Sequence, residues 1–300
     1  MKIVISGASG MIGSTLSTEL QNQGNKVMHL VRRPTKTAHE IQWDPNNYKL
    51  PDGCLDGTDA VINLNGANIG GKRWTESYKQ TLVNSRLSPT ATLATAISQS
   101  SNPPKCFLSG SAIGYYGARG DEELTEQSEP GKGFLAQLTK DWEAAATPAV
   151  EAGVRTCYLR TGVVLHPSGG ALQKMLPLFK FGLGGKMGNG NQIWSWITLA
   201  DEVSAIIHLI TSTVSGPVNL TSPTPVTNEE FTKQMGAHLG RPTVLPVPKF
   251  GPSLLLGSEL AQSLLFDSAN VLPRVLADSG FTHAQQSLPE ALESLIPKRS

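Results

Sequence analysis

The 300-residue sequence has few of the residues that mark several common classes of protein. Its three cysteines, Cys54, Cys106 and Cys157, lie far apart and form neither a CxxC pair nor a metal-site spacing. We therefore expect reduced thiols in a core and no bound metal. The net charge is +1, so no charge imbalance predicts binding to nucleic acid or to an anionic membrane.

Long apolar runs are also absent, and a membrane-spanning helix needs about 18 such residues. The richest apolar stretch, residues 254–266, is interrupted by glycine and polar residues. The first predicted strand begins at Lys2 and leaves no room for a signal peptide. We therefore expect a cytoplasmic protein that binds neither a membrane nor nucleic acid. Its 39% of hydrophobic residues suffices for a large core.

The first thirteen residues, MKIVISGASGMIG, predict a strand, a glycine turn and a helix. The apolar run from Ile3 to Ile5 suits a buried parallel strand, and three glycines follow at the spacing G-x-x-G-x-x-G. Such a turn lets the backbone approach a ligand, while the helix start offers N–H groups to a phosphate. The alternative is a tight turn without a ligand. The predicted cofactor-binding residues here are Gly7, Ser9, Gly10, Met11, Ile12 and Gly13.

The second predicted strand, residues 26–31, ends beside two arginines, Arg32 and Arg33. In dinucleotide-binding folds this strand end meets the adenosine ribose, about 20 residues after the glycines. An acidic residue there would bind the 2′-hydroxyl of NAD, whereas a guanidinium group suits the 2′-phosphate of NADP. The two arginines therefore favour NADP(H) as cofactor. A solvated basic strand end is the alternative.

Two further strand ends carry small or hydroxyl-bearing residues. Asn65 and Gly66 follow a predicted strand at residues 59–64 and are placed beside the nicotinamide half of the cofactor. Ser109 and Ser111 follow the next short strand. Open α/β sheets bind their ligands at this edge, so we expect the serines to contact a ligand. The alternative is a turn that the serine side chains satisfy.

Two other arginines are candidate cofactor ligands with an open alternative. Arg73 meets either a phosphate or solvent. Arg160, at the end of a strand at residues 155–159, either reaches a cofactor phosphate or substrate anion or forms a salt bridge at the edge of the core. The acidic stretch at residues 121–129 is most simply a solvated surface.

Predicted strands near residues 3, 27, 61, 106 and 157 alternate with predicted helices. This pattern indicates an α/β fold with a Rossmann-type, doubly wound parallel sheet. Helices are predicted over residues 77–99, where Pro89 kinks or splits the helix, and over residues 134–149. From Pro167 onward the sequence becomes rich in glycine. We predict a Rossmann domain over residues 1–165, completed by about residues 193–222, and a smaller C-terminal substrate lobe over residues 166–192 and 223–300.

Six stretches together resemble the extended branch of the short-chain dehydrogenase/reductases. In chain order they are GASGMIG, NLNGA, SGSAIGYYG, RTGVVL, WSWITLADEV and GPVNLTSP. Further motifs, among them YYG, FGLGG and LPR, resemble the branch labelled "epimerase family", or YfcH-like. The resemblance implies a Rossmann fold that binds NAD(P), a substrate lobe, and a catalytic serine or threonine with a Tyr-x-x-x-Lys pair. In that pair the tyrosine is the acid or base and the lysine holds the ribose.

The sequence departs from this family in the catalytic pair, because none of its five tyrosines precedes a lysine by four residues. On the expected helix, Lys140 is a candidate cofactor ligand. If Glu143 is the glutamate that usually follows the pair, Leu135 and Thr139 stand at the pair itself. A tyrosine after the serine loop either transfers a proton or packs against the ligand. The candidate catalytic residues are Ser109, Ser111, Tyr115 and Tyr116.

The expected function is that of an NADP-dependent oxidoreductase or epimerase that acts on a small molecule. Lys180, Lys186 and Arg274 favour an anionic group on that substrate, although solvation explains the two lysines equally well. The alternative is an NADP(H)-binding sensor or regulatory protein without turnover, which the missing Tyr-x-x-x-Lys pair supports. The protein is expected to be a monomer or a homodimer.

Overall fold

The computed structural model describes residues 1–297 as strands and helices that alternate along most of the chain. The strands are β1 (Lys2–Ser6), β2 (Lys26–Val31), β3 (Glu40–Gln42), β4 (Ala60–Asn63), β5 (Cys106–Ala112), β6 (Glu123–Leu124), β7 (Arg155–Thr161), β8 (Val163–His166), β9 (Ile193–Trp194), β10 (Trp196–Thr198), β11 (Gly216–Leu220), β12 (Val226–Thr227) and β13 (Asn270–Val271). The helices are α1 (Met11–Asn22), α2 (Glu76–Gln99), α3 (Phe134–Ala144), α4 (Thr147–Glu151), α5 (Gly170–Lys180), α6 (Leu199–Thr211), α7 (Asn228–Leu239), α8 (Phe250–Leu256), α9 (Ser258–Ala261), α10 (Arg274–Asp278) and α11 (Leu288–Leu295).

Seven strands form one parallel sheet in the order β11–β7–β5–β4–β1–β2–β3. The chain order reverses at β1, with β2 and β3 on one side and β4 and the later strands on the other. Parallel neighbours require crossover connections, which the intervening helices supply. The Rossmann-type fold predicted from the sequence is therefore confirmed. Ligands of such sheets bind at the carboxyl ends of the strands, where the order reverses.

The central strands bury side chains on both faces of the sheet. Ile5 packs on one face with Leu16 of α1 and Ile206 of α6. Its neighbour Val4 packs on the opposite face with Leu93 of α2. Consecutive side chains of a strand point to opposite faces, so a strand that helices cover on both sides is apolar throughout. This is why the first strand is an uninterrupted apolar run.

A separate apolar cluster holds the smaller C-terminal part together. It joins α5, α7 and α11 through residues that include Leu172, Phe179, Phe231 and Leu292. The rings of Phe179 and Phe231 meet edge to face with centroids 6.5 Å apart. The predicted domain boundaries stay predictions, and residues 298–300 of the predicted lobe lie outside the described residues. Within residues 1–297, no helix is long and apolar enough to cross a membrane.

Of the two predicted effects of Pro89 the structure excludes a split, and the prediction of one helix over residues 134–149 requires correction. α2 is one continuous helix with Pro89 inside it, so the proline does not split it. Pro89 is buried, and tertiary packing of this helix outweighs the backbone hydrogen bond that proline removes. Residues 134–149, predicted as one helix, contain α3 and the start of α4 instead. Pro148 lies in the first turn of α4, where a missing N–H costs little, and it has no N–H to continue the hydrogen bonds of α3.

A buried carboxyl group lies in the first turn of α6. Glu202 is completely buried, and its Oε1 accepts a hydrogen bond of 2.8 Å from the hydroxyl of Thr161 at the end of β7. Its Oε2 has no partner within the part of the chain that the structure describes. Burial raises the pKa of Glu202 to about 8, and the Thr161 bond opposes this rise only in part. The folded protein therefore carries this side chain as a neutral acid at pH 7.

We predict that Glu202 makes the folded protein lose stability as the pH rises. Its folded-state pKa of about 8 exceeds the usual 4.5, so the unfolded chain releases a proton that the folded state keeps. The contribution of Glu202 to stability should therefore be largest below pH 4.5 and should fall by roughly 1 kcal/mol per pH unit as the pH rises toward 8. Glu202→Gln, which mimics the neutral acid, should remove this slope in urea unfolding series. The exposed control Glu151→Gln should retain it, and equal slopes in wild type and Glu202→Gln would contradict the prediction.

Candidate cofactor site and active site

The glycine turn between β1 and α1 is shaped by close backbone contacts. Gly7 has a φ of +78°, which L side chains rarely adopt, and a Cβ there would lie 2.5 Å from the carbonyl oxygen of Leu64. A Cβ on Gly13 would lie 2.4 Å from the carbonyl oxygen of Gly7. By contrast, a Cβ on Gly10 would meet only ordinary contact distance. Gly7 and Gly13 are thus required by the close contacts of the turn, whereas Gly10 is the N-cap of α1 and carries no side chain there.

The first turn of α1 has no side-chain cap. Its N-cap is Gly10, and the N–H groups of Met11, Ile12 and Gly13 have no acceptor within residues 1–297. Thr75, Thr198 and Thr227, by comparison, cap α2, α6 and α7. Free N–H groups and the positive end of the helix dipole suit a pyrophosphate. The residues around this turn fit the phosphates of a dinucleotide.

The smaller lobe touches the same turn. A Cβ on Gly169, between β8 and α5, would lie 2.3 Å from the sulfur of Met11. Ser9, in the turn itself, is exposed. The chain that leads into α5 therefore packs directly on the start of α1. A ligand at this helix start lies next to both parts of the protein.

The two arginines after β2 have different surroundings. Arg33 forms a two-pronged ion pair with Glu40 at 2.6 and 2.9 Å, and the hydrogen bonds from Arg33 hold the pKa of Glu40 at about 2. Arg32 is exposed, has no hydrogen-bond partner among the described residues, and lines an open cavity of about 390 Å³ with Gln42 and Trp43. Only Arg32 therefore has its donors free for a 2′-phosphate.

Asn65 and Gly66 follow the end of β4, as the sequence predicted. The side-chain amide of Asn65 donates a 2.8 Å hydrogen bond to Asn63 Oδ1. Gly66 lies against the guanidinium of Arg86, 3.2 Å from the position of an added Cβ. Both residues lie one strand away from the glycine turn, since β4 pairs with β1. This position suits contact with the part of a cofactor beyond its phosphates.

Arg73, in the loop before α2, contacts the smaller lobe. Its guanidinium donates to the backbone carbonyls of Leu254 and Leu255 in α8, the latter at 3.1 Å. These bonds tie the β4–α2 loop to α8. The sequence left open whether Arg73 meets a phosphate or solvent, and the structure gives it a third kind of partner, a helix end.

The serines of β5 lie at the same edge of the sheet. Ser109 is fully buried, and within residues 1–297 its hydroxyl makes only a 3.5 Å contact with the Gly110 carbonyl. The Ser111 hydroxyl donates a 2.6 Å hydrogen bond to Glu143 Oε1 of α3. Since its proton is held by Glu143, Ser111 presents lone pairs to any donor at this edge.

Glu143 also binds Arg160, at the end of β7, in a buried ion pair. Arg160 Nε donates to Oε1 at 2.8 Å, and Nη2 donates to Oε2 at 2.9 Å. Burial alone would lower the pKa of Arg160, but the bonds to Glu143 and its charge raise that pKa above its ordinary value. Of the two alternatives for Arg160, this geometry favours the salt bridge. A cofactor phosphate would have to displace Glu143.

The two tyrosines after β5 differ in their burial and in the hydrogen bonds of their hydroxyl groups. Tyr116 is fully buried, donates to Asn219 Oδ1 at 2.7 Å and accepts from Arg160 Nη1 at 3.0 Å. Burial raises the pKa of Tyr116 to about 12, which is opposite to the change that proton transfer near neutral pH requires. Tyr115 is half-buried, and the guanidinium carbon of Arg160 lies 3.5 Å from the centroid of its ring. Its hydroxyl has no partner in the described structure.

Comparison with known proteins identifies the family. The model of the NAD dependent epimerase/dehydratase family matches residues 3–221, and a domain of unknown function, DUF1731, matches residues 247–295. The chain belongs to the NAD-dependent epimerase/dehydratase family. It is 43% identical to the epimerase family protein ML0860 of Mycobacterium leprae over 97% of this chain and 94% of that protein.

Two solved structures of the family resemble this one closely. Human epimerase family protein SDR39U1, crystallised with NADPH, has a TM-score of 0.90 and 33% identity, covering 98% of this chain and 99% of that one. A nucleoside-diphosphate sugar epimerase from Corynebacterium glutamicum has a TM-score of 0.80 and 34% identity, covering 99% of this chain and 58% of that one. Together with the motifs, these matches confirm an atypical extended short-chain dehydrogenase/reductase of the epimerase family.

For a member of this family, the helix that should carry the catalytic pair is unusual. Lys140 of α3 is exposed, whereas Thr139 beside it is buried. A Cβ on Gly114, in the turn after β5, would lie 3.3 Å from Leu135 and 3.7 Å from Thr139 Oγ1. Leu135 and Thr139 therefore face the serine and tyrosine loop. Lys140 lies on the opposite, solvent side, so its predicted contact with a cofactor finds no support in this geometry.

Glu126 is a buried acid at this edge. Its acidic neighbourhood in the sequence predicts a solvated surface, but the residue is only 7% exposed. Its Oε1 accepts the backbone N–H groups of Asn219 at 3.0 Å and Val275 at 3.2 Å, and burial raises its pKa. Its Oε2 has no partner in residues 1–297. No local pattern separates Glu126 from the exposed acids around it, because its partners lie far along the chain.

The predicted anion-binding cations do not form a cluster of free charges. Lys186 pairs with Glu229 at 3.4 Å, and Arg274 approaches Glu123 at 3.9 Å. Among the residues that the structure describes, only Lys180 of this set has no ion-pair partner. The anionic substrate group predicted from these residues stays a prediction.

We predict that Glu143 stabilises the fold through its charge. Glu143→Gln keeps the size of the side chain but leaves the buried guanidinium of Arg160 without a counter-ion, which should cost about 3 kcal/mol. Asp141→Asn, on the exposed side of the same helix, is the control and should cost little. Urea unfolding at pH 7 measures both free energies. Equal small losses would show that the ion pair contributes no net stability.

Proposed function

We propose that the protein is an NADP(H)-dependent oxidoreductase or epimerase that acts on a small molecule. The observation that carries this proposal is the uncapped start of α1 next to a strand, β2, that ends in a free arginine. The helix start offers N–H groups to the pyrophosphate, and Arg32 offers its guanidinium to the 2′-phosphate. Gly10, the N-cap of α1, has no side chain, so the backbone at the helix start can approach the ligand closely.

Its relatives support the choice of the phosphorylated cofactor. The human relative SDR39U1, at 33% identity and a TM-score of 0.90, was crystallised with NADPH. Structures of sugar-nucleotide enzymes with NAD are also similar, but at 14 to 22% identity they support the fold alone. The local chemistry agrees with NADP(H), because Glu40 on the neighbouring strand β3 is neutralised by Arg33.

The chain's own residues suggest how a substrate would be held. NADPH, when bound, supplies a hydride. Ser111, whose proton is fixed on Glu143, accepts a hydrogen bond from a substrate hydroxyl. Tyr115 is the candidate proton donor, because its hydroxyl is unpartnered in residues 1–297 and its ring is held under the Arg160 guanidinium. Asn65 and Ser109 line the same edge.

A second candidate function is that of an NADP(H)-binding sensor or regulatory protein without turnover. The position of Lys140 favours it, because this lysine faces solvent on α3. Tyr116 adds support, since its hydroxyl is committed to Asn219 and Arg160 and its pKa is raised. In this case the ordered edge would serve recognition of the bound cofactor and not proton transfer.

We predict that Arg32, and not Arg33, sets the preference for NADPH. NADPH should raise the melting temperature of the wild type more than NADH does, because a ligand that binds only the folded state stabilises it. Arg32→Ala should weaken NADPH binding about tenfold and leave NADH binding nearly unchanged. Arg33→Ala is the matched control, since its side chain is held by Glu40. An unchanged preference in Arg32→Ala would contradict the assignment.

We predict turnover that depends on the hydroxyls of Ser111 and Tyr115. Turnover should be followed by NADPH absorbance with pooled aldehydes and ketones, and by product analysis with nucleotide sugars, because an epimerase regenerates its cofactor and oxidises no net NADPH. Ser111→Ala and Tyr115→Phe should each slow it about a hundredfold while NADPH still raises the melting temperature. Thr139→Val tests the neighbouring hydroxyl and should change the rate little. Binding of NADPH without turnover of any pool would favour the sensor.

A further inference from the structure

Exposed apolar side chains are concentrated on one side of the smaller lobe. Of twelve large apolar side chains that residues 1–297 leave exposed, eight lie at residues 178–183 and 244–255. We call them the α5–α8 face. It consists of Leu178, Phe181, Leu183, Val244, Leu245, Phe250, Leu254 and Leu255.

The backbone joins these two segments into one surface. Val247 N–H donates to the Lys186 carbonyl at 2.8 Å, and Gly188 N–H donates to the Val247 carbonyl at 3.0 Å. Gly185 lies so close to the carbonyl of Leu245 that a Cβ would overlap it. The chain that follows α5 thus runs beside the chain that precedes α8. The apolar residues that flank this pairing therefore lie on adjoining segments of the chain.

The side chains of this face project from the surface instead of lining a groove. Phe181, Val244 and Phe250 are 80%, 83% and 74% exposed. Every residue of α8 is at least partly accessible. This helix is tied down by its backbone, because Arg73 binds the carbonyls of Leu254 and Leu255. Its leucine side chains are therefore left to meet another molecule.

The charged residues within the two segments that form the face are all basic. Residues 170–190 and 240–258 contain five basic residues, Lys174, Lys180, Lys186, Arg241 and Lys249, and no Asp or Glu. Lys186 pairs with Glu229, and Lys174 donates to a backbone carbonyl. In the described chain, Lys180 and Arg241 have no ion-pair partner. An apolar patch with free cations at its edge fits an anionic, apolar surface.

We propose that the α5–α8 face binds the surface of a membrane that contains anionic lipids. Highly exposed aromatic and leucine side chains suit the boundary between headgroups and acyl chains, which needs no complementary groove. Basic residues beside them meet the anionic headgroups. A second copy of the chain fits less well, because a two-fold interface would bring the same basic residues together.

This inference is independent of the proposed function and differs from the sequence expectation of no membrane contact. That expectation was drawn from the net charge of +1 and from the absence of a long apolar run. Neither the net charge nor the length of apolar runs can reveal a patch that forms from two segments about 60 residues apart in the sequence. The lipid contact proposed here is peripheral and requires no spanning helix.

The test is co-sedimentation with vesicles of phosphatidylcholine, with and without phosphatidylglycerol. The wild type should bind the anionic vesicles at least about tenfold more tightly, and added salt should weaken the binding. Phe250→Ser/Leu254→Ser and Lys180→Glu/Arg241→Glu should each lower affinity about tenfold or more. Tyr48→Ser/Val150→Ser removes exposed apolar groups elsewhere and should bind like the wild type.

Other outcomes would overturn the proposal. The melting temperature of every variant is measured with and without NADPH. The melting temperature itself reports whether the variant folds, and its rise with NADPH reports the proposed cofactor binding, so both are distinguished from a loss of lipid binding. Absence of vesicle binding by the wild type, or binding that both double variants retain, contradicts the proposal. A dimer in light scattering that Phe250→Ser/Leu254→Ser abolishes, without vesicle binding, assigns the face to a second copy. Binding of an acidic amphipathic peptide, but not of vesicles, assigns it to a protein partner.

Discussion

The buried ion pair between Glu143 and Arg160 organises the edge of the sheet where ligands of this fold bind. Glu143 accepts from Ser111 of β5 and Arg160 of β7, and Arg160 reaches Tyr116, which binds Asn219 of β11. Removing two charges from water is costly, and it is offset only when the geometry is good and the remaining donors are satisfied. The two-pronged contact meets both conditions. Three strand ends and one helix are thereby held in one arrangement.

This network divides the edge of the sheet into two chemically different halves. On the side of β1 and β2, donors are left without acceptors in residues 1–297, namely the first N–H groups of α1 and the guanidinium of Arg32. On the side of β5, β7 and β11, most polar groups already have partners inside the protein. The first half can take up an anionic ligand without losing internal bonds. The second can only hold a substrate through the few groups that remain free, such as the hydroxyl of Tyr115.

Two of the contacts that link the smaller lobe to this edge lie beside the ligand site. Gly169 packs on Met11 at the start of α1, and Arg73 binds the carbonyls of Leu254 and Leu255 in α8. The apolar α5–α8 face lies on the elements that these contacts position. A surface that holds this face therefore also lies close to the chain around the ligand site. The exposed side chains and the ligand site are thus joined by direct contacts between the elements that carry them.

The sequence by itself determined the parallel sheet and the glycine turn, because strand alternation, helical spacing, the positive φ of Gly7 and the contact of Gly13 with Gly7 are local. Tertiary structure decided which polar residues are available. It paired Arg33 and left Arg32 free, buried Glu126, and turned Lys140 to solvent. Desolvation and pairing depend on the residues that pack over a side chain. For Glu126 these residues are 93 and 149 positions away in the sequence. A local sequence pattern therefore cannot show which side chains such distant residues bury.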